Sequence, residues 1–413
     1  MAGNMPAAPW HNSGSGGKPI PEQGSWIVKR LPALVCLVIF VDSLGYGVVV
    51  PVMPAYSRNL GIGELGLGML FASYALGNIV AAVPFGLVSD GFGRRPFLAF
   101  GMLAMAGAFV LYAYSGTYTA LFLSRFLDGV TAAANWSVGL AIIADTCPAG
   151  ERGRGMGMVM AAMGAGAIAG PAMGGAVADW LGFRAPFLVV AGICALGGVM
   201  ALASRGLRRV RPRGGGAGYG RMMREVLSYP GMALILVIVM MGTVNLGVLE
   251  PLFPVYLQEN LGLSSTAIGL LFALTVLFYT LASPLVGTLA DRRGERGLMV
   301  AGPAATAVAA PALTFSGNLA AAAALFAVCG VTVALFETPT LPLIADLLAG
   351  RAEGEVYGTA FGLFNMAWAM GYLLGPAAGG FLAQRHGLPT AMIMLSVPLA
   401  LLAWRAWEGF SGR

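Results

Sequence analysis

The chain has 413 residues, of which 58% are apolar and only 10% are charged, and its formal net charge is +6. A soluble globular protein carries about 25% charged residues, so the composition excludes a soluble protein, and disorder of the whole chain with it. A membrane protein with many spans remains, because a helix needs about 20 apolar residues to cross a bilayer.

Residues 1–27 are rich in Gly, Pro and Ser, and we predict a disordered cytoplasmic tail there. This segment does not resemble a signal peptide, because the first apolar run begins near Leu31 and is long enough to be a full span. Residues 28–204 and 229–413 each hold six apolar runs, and the basic stretch 205–228 is predicted to link them on the cytoplasmic side. The predicted spans are 31–54, 66–89, 96–114, 118–145, 155–178, 185–204, 231–257, 267–290, 297–315, 319–348, 356–383 and 389–407.

The Lys and Arg residues support this topology with both termini inside. In that arrangement 20 of the 24 fall on the cytoplasmic side, three fall in outer loops (Arg58, Arg184 and Arg385), and Arg125 lies within a span. Cytoplasmic loops carry an excess of Lys and Arg in membrane proteins. The basic charge therefore has a topological explanation, and no nucleic-acid partner is predicted.

The two groups of six spans repeat each other. The segment VPVMPAY at 50–56 matches EPLFPVY at 250–256, and the Gly-x-x-x-Asp-x-x-Gly patterns at 86–93 and 287–294 lie 201 residues apart. The triplets GVT at 129–131 and IAD at 143–145 recur at 330–332 and 344–346. The sequence predicts an all-α membrane protein of twelve helices in two pseudo-symmetric six-helix bundles, with a substrate site between the halves, as in transporters.

Three motifs resemble those of the major facilitator superfamily. They are GLVSDGFGRR at 86–95 between spans 2 and 3, RFLDG at 125–129 in span 4, and GPAMGG at 170–175 in span 5. The span 5 motif is similar to that of the drug:proton antiporters. The resemblance implies the major facilitator fold, with Asp90, Arg94 and Arg95 as conformational latches and Gly170 and Pro171 in the helix contacts that seal the halves. Ordinary close packing of the glycines is the other interpretation, and the two are compatible.

Further segments resemble the vesicular amine transporters and favour a prokaryotic relative of that group. They are Asp42 followed by Pro51 and Pro54, LEPLFP at 249–254, ETPTLP at 337–342, and residues 357–376 in span 11. The resemblance implies proton-coupled exchange of a cationic amine, driven by a proton gradient without a cofactor or metal. It departs from the group at Asn365 and Tyr74, where the group has an Asp and a Lys, and in a short loop between spans 1 and 2.

A charge inside a span is costly, so each one is a candidate for function. Asp42 is predicted to bind the substrate ammonium or a proton, and Glu337 and Glu250 are predicted to carry protons. Arg125 is predicted to form an outer gate by pairing with Glu250, or to pair with Asp128 three residues away. Aromatic faces attract cations, and the full set of predicted substrate contacts is Asp42, Phe71, Tyr74, Asn245, Glu250, Tyr256, Tyr279, Asn365, Trp368 and Tyr372.

The leading prediction is a monomeric, proton-coupled antiporter of organic cations in the bacterial cytoplasmic membrane, working by alternating access. A broad exporter of apolar drugs, and a uniporter or symporter of another small metabolite, remain alternatives. An enzyme is disfavoured because the spans contain no nucleophile and base pair, and the four cysteines have neither metal-site nor disulfide spacing.

Overall fold

The computed structural model describes residues 31–147, 151–204, 207, 219–348 and 354–411. In this part of the chain, 12 helices are long and apolar enough to cross a membrane. The predicted tail at 1–27 and residues 208–218 of the predicted linker lie outside the described residues. The remainder of the linker includes a short helix, Tyr219–Ser228, whose Val226 is buried against the second half of the chain.

We number the spans 1 to 12 in chain order, and most predicted boundaries lie within a few residues of the observed ones. Span 1 consists of Leu31–Val48, a 3-10 turn at Val50–Val52 and Met53–Leu60. The others are Glu64–Phe92, Arg94–Ala113, Tyr118–Thr146, Arg152–Leu181, Ala185–Ala203, Met232–Leu261, Ser265–Arg293, Glu295–Ala312 with a 3-10 turn at Leu313–Phe315, Leu319–Leu348, Gly354–His386 and Leu388–Ser411.

The repeated Gly-x-x-x-Asp-x-x-Gly patterns end at glycines that the backbone requires. Gly93 and Gly294 lie between spans 2 and 3 and between spans 8 and 9, with φ angles of 93° and 83°. Residues with a side chain rarely adopt a positive φ. The equivalent glycines therefore allow the same sharp connection in both halves.

Spans 5 and 11 bring backbones close together through their Gly-Pro segments. In span 5, a Cβ on Gly174 would lie 2.8 Å from the Val48 carbonyl oxygen of span 1, and Pro171 faces Gly269 of span 8. Span 5 therefore packs on its own half through one face and on the other half through the other face. Span 11 repeats the arrangement, with Gly375 against Val244 of span 7 and Pro376 against Gly68 of span 2.

The halves are joined at the end of the bundle where spans 1 and 2, and spans 7 and 8, connect. We call this the sealed end. There the Asp179 carboxylate of span 5 accepts hydrogen bonds from the backbone N–H groups of Ser265 and Thr266, at 3.2 and 2.7 Å, and from the Thr266 hydroxyl at 2.6 Å. Arg58 of span 1 also donates to Gln258 of span 7.

The halves separate toward the opposite end, which we call the open end. Spans 5 and 8 touch at Gly175 and Ser265 and again at Pro171 and Gly269, but a Cβ on Gly164 would meet only the Thr280 hydroxyl, at 3.9 Å. Spans 5 and 8 are therefore packed less closely at the open end, which the distribution of Lys and Arg predicts to be cytoplasmic.

Candidate substrate site

Asp42 lies in the middle of span 1 and faces span 4. Its side chain is only 2% exposed, and its two carboxylate oxygens accept hydrogen bonds from Asn135 Nδ2 at 3.1 Å and Trp136 Nε1 at 3.0 Å. Both donors are uncharged. The carboxylate is thus held in a fixed orientation while its negative charge is left without a basic partner.

Glu337 lies in span 10 and is surrounded by aromatic residues of spans 8 and 11. Trp368 Nε1 donates to Glu337 Oε1 at 3.3 Å, and the Tyr279 hydroxyl also hydrogen-bonds to this carboxylate. The Trp368 ring lies 4.3 Å from the ring of Tyr372, and Trp368 is 37% exposed. Three of the predicted substrate contacts therefore form one aromatic wall beside a carboxylate.

Arg125 of span 4 is fully buried and pairs with Asp128, with 3.2 Å between Nη1 and Oδ2. Its guanidinium carbon lies 4.7, 4.6 and 4.8 Å from the ring centres of Tyr46, Phe71 and Tyr74. Aromatic faces stabilise a buried cation. The structure places Phe71 and Tyr74 around Arg125, and their predicted contact with substrate stays a prediction.

Glu250 of span 7 accepts a hydrogen bond from the hydroxyl of Tyr46 in span 1. The predicted ion pair between Arg125 and Glu250 is therefore wrong for this conformation, and Arg125 has the alternative partner, Asp128. The physical reason is that Tyr46 contacts both groups, with its ring on Arg125 and its hydroxyl on Glu250.

Sequence reasoning missed Tyr46 and Asn135. Tyr46 lies four residues after Asp42, so the two share a helix face, and this spacing could have drawn attention to it. Asn135 directly precedes Trp136, and an amide within an apolar span needs a polar partner. Both residues are polar contacts of the carboxylates that the sequence did identify.

Two predicted substrate contacts have polar groups that are hydrogen-bonded within the second half. Asn245 is fully buried against span 12, where its amide donates to the Leu395 carbonyl at 3.2 Å and accepts from the Ser396 hydroxyl at 2.7 Å. Its hydrogen-bonding groups bind span 12, so the substrate-contact prediction for Asn245 is corrected to a packing role.

Tyr256 is likewise part of the scaffold. Its hydroxyl donates to the Thr314 carbonyl at 2.6 Å, and the equivalent Tyr56 donates to the Tyr112 carbonyl at the same distance. A hydrogen bond repeated in both halves holds spans 1 and 7 to their neighbours near the sealed end. Tyr256 also lines a cavity with Ser57 and Leu67 of the first half, so a substrate contact through its ring stays a prediction.

The remaining predicted residues lie in two places. Asn365 is exposed on span 11, on the helix that also carries Trp368. At the open end, Arg94 Nε lies 3.2 Å from Asp145 Oδ2, and Arg94 is only 5% exposed. Arg95 is half-buried beside it, while the Asp90 side chain lies outside the described residues.

The interior carboxylates form one electrostatic group. Tyr74 lies within electrostatic range of Asp42, Asp128 and Glu250, and Tyr372 lies within range of Glu250 and Glu337. Within the described spans, the ion pair with Arg125 neutralises Asp128 alone. Asp42, Glu250 and Glu337 are each held by uncharged donors, so the site can take up cations or protons.

Among the described residues, no group of three or more His, Cys, Asp or Glu side chains could hold a metal ion. Two six-helix halves with acidic and aromatic side chains between them are typical of a membrane transporter. The profile of the Major Facilitator Superfamily matches residues 35–249 and 232–409, so the chain belongs to this family.

Curated relatives include vesicular transporters. The chain is 25% identical over 345 residues to the synaptic vesicular amine transporter of Rattus norvegicus, covering 83% of this chain and 66% of the rat protein. It is 28% identical over 383 residues to a probable vesicular acetylcholine transporter of Danio rerio, covering 87% of this chain and 75% of that protein. The chain therefore spans just under two thirds of the rat relative's length.

Solved structures share the fold. A bacterial homolog of the human lysosomal transporter Spinster, in an inward-facing and unoccupied conformation, has a TM-score of 0.80 at 15% identity and covers 96% of this chain and 99% of its own. The nucleoside transporter NupG has a TM-score of 0.76 at 14% identity, with 92% of this chain and 99% of its own covered. At these identities the likeness establishes the fold alone.

Proposed function

We propose that this protein is a proton-coupled antiporter that exchanges cationic amines for protons by alternating access. The observation that supports this proposal most is the excess of acidic groups in the spans. Among the described residues, Asp42 and Glu337 are hydrogen-bonded by uncharged donors. Glu250 is hydrogen-bonded by Tyr46 and lies near Arg125, which forms its ion pair with Asp128. A buried carboxylate without a counter-charge is strongly disfavoured, so it binds a proton or a cation. If the same carboxylates bind either a proton or a cation, but never both at once, transport of the cation in one direction requires transport of a proton in the other.

Asp42 is proposed to receive the substrate ammonium. Asn135 and Trp136 already fix the carboxylate, which lowers the cost of ordering it when a ligand binds. The half-buried indole of Trp136 offers an aromatic surface beside the charge. Amines and acetylcholine, after which these relatives are named, carry an ammonium group, which supports this choice.

Glu337 is proposed to carry the exchanged proton. It lies on the opposite half from Asp42 and is bonded by neutral donors from spans 8 and 11. Burial favours the neutral form of a carboxyl, so Glu337 can load a proton from one side and lose it to the other. We also propose a bacterial cytoplasmic membrane location, supported by the connection of only 3 residues, 61–63, between spans 1 and 2.

The proposal is tested by uptake into proteoliposomes with an acidic interior. Wild type is expected to accumulate radiolabelled acetylcholine in a gradient-dependent way. Asp42→Asn is expected to reduce this accumulation about 100-fold, because the neutral amide lacks the negative charge that attracts an ammonium. Glu259→Gln, which removes an exposed carboxylate at the sealed end, is the matched control and should retain uptake. Wild-type uptake that is the same with and without the pH gradient would contradict the proposal.

Glu337→Gln separates the proton step from substrate binding. The variant is expected to bind the amine and to exchange it across the membrane without a gradient, but to lose accumulation driven by the gradient. Gradient-driven accumulation that persists in Glu337→Gln would remove Glu337 from the proton pathway. If only apolar drugs are transported, the broad drug exporter becomes the better account.

A further inference from the structure

Tyr46 makes a direct polar contact between the two halves inside the bundle. It belongs to span 1 of the first half, and its hydroxyl donates to Glu250 in span 7 of the second half. Its counterpart in the repeat is Leu246, which has no hydroxyl, so the contact is present on one side of the pseudo-symmetry only.

The ring of Tyr46 is held by its own half. It packs edge to face on Tyr74 at 4.8 Å between ring centres, and the Arg125 guanidinium carbon lies 4.7 Å from its centre. The hydroxyl alone reaches across to the second half. Movement of one half relative to the other therefore acts directly on the bond to Glu250.

The titratable and charged groups near Glu250 come from four other spans. They are Tyr46 from span 1, Tyr74 from span 2, Arg125 from span 4 and Tyr372 from span 11. Among the described residues, Tyr46 is the one that hydrogen-bonds to this carboxylate. Arg125 is already paired with Asp128, so Tyr46 is the main partner of the Glu250 charge in this conformation.

We propose that Tyr46 is the coupling residue through which the charge of Glu250 controls opening of the sealed end. A hydrogen bond to an ionised carboxylate is about twice as strong as one between neutral groups. The bond therefore favours closure while Glu250 is ionised and weakens when a proton or a bound cation neutralises it. This inference rests on the proposed proton coupling for its role in transport.

The test measures opening without any substrate. Spin labels on Asn59→Cys and Asn260→Cys, which are exposed positions near the sealed end of the two halves, report their separation in lipid nanodiscs. The four native cysteines are first replaced, and transport by that background is confirmed. The separation is then recorded from alkaline to acidic pH.

In wild type, the ratio of open to closed molecules is expected to rise about 10-fold on acidification. Tyr46→Phe is expected to raise the open fraction at alkaline pH and to reduce the pH response to less than about twofold. Glu250→Gln should have the same effect, and the double variant should add nothing to either, because both remove the same bond. If Tyr46→Phe does not fold, Glu250→Gln decides the test alone.

Asp179→Asn is the matched control, because it weakens another contact between the halves at the sealed end. It should raise the open fraction and keep the pH response of wild type. A wild-type pH response in Tyr46→Phe, or an additive double variant, would overturn the proposal for Tyr46. Failure of wild type to transport amines would instead overturn the proposed function and leave the spin-label result standing.

Discussion

The two halves of this protein share a scaffold but not a chemistry. With offsets of 200 and 201 residues, Asp42 corresponds to Gly242 and Asn135 to Phe336. In the first half a carboxylate bonds an amide at this position. In the second half the missing side chain of Gly242 makes room for the Phe336 ring, whose Cζ would lie 2.7 Å from a Cβ on Gly242.

The same asymmetry extends along span 4 and span 10. Arg125 and Asp128 correspond to Phe326 and Cys329, so a buried ion pair is replaced by an apolar pair. The acidic residues of the second half lie at other positions of the repeat. Glu337, for example, corresponds to Trp136 of the first half. The Gly-Pro contacts are present in both halves. The helix packing is therefore repeated, while the polar residues differ between the halves.

Removal of the buried cation should have the largest effect on stability. Arg125→Ala leaves Asp128 buried without its counter-charge, and we expect a loss of about 3–5 kcal/mol in the free energy of unfolding. The double variant Arg125→Met with Asp128→Leu should recover much of this loss, because it imitates the apolar pair of the second half. Thermal unfolding in detergent measures both.

If Arg125→Ala proves as stable as wild type, the ion pair is not a structural element of the first half. Transport should fail in both the single and the double variant, since the arginine also positions Tyr46 through its ring contact. Transport by the double variant would contradict that positioning role.

A methyl group at Gly242 should lower the stability of the second half by an amount between the other two predictions. Gly242→Ala places its Cβ against the Phe336 ring, and overpacking of this kind costs about 1–3 kcal/mol. Phe336→Leu in the same chain should relieve the clash and restore the melting temperature. Additive losses in the double variant would show that the ring and the glycine do not depend on each other.

The smallest effect is expected where the halves are alike. Tyr56→Phe and Tyr256→Phe each remove one hydrogen bond to a backbone carbonyl, and each should lower stability by about 1 kcal/mol. Transport should be retained in both, because neither hydroxyl faces the space between the halves. If Tyr256→Phe loses amine binding while Tyr56→Phe retains it, the Tyr256 hydroxyl contacts the substrate.

The sequence predicted the fold closely because its signals are local. Apolar runs, the positions of Lys and Arg, and the repeat were enough to predict twelve spans in two halves, and span 4 was expected at 118–145 and observed at Tyr118–Thr146. The buried carboxylates were equally visible, because a charge within an apolar span is conspicuous.

The direction in which each side chain points was harder to predict. Helices that are apolar on all faces lack the periodicity that would reveal a buried side, so Asn245 was assigned to the wrong surface. The partner of Arg125 also depended on Tyr46, whose contact joins residues 204 positions apart in the sequence. Such a contact becomes evident only when the halves are packed together.

Proton release on amine binding tests the central claim most directly. Purified protein in weakly buffered detergent is mixed with phenethylamine or acetylcholine, and a pH indicator records the protons set free. If amine and proton compete for the same carboxylates, binding releases protons, the affinity rises with pH, and Asp42→Asn loses both effects. Binding that releases no protons and has the same affinity at every pH would contradict the account.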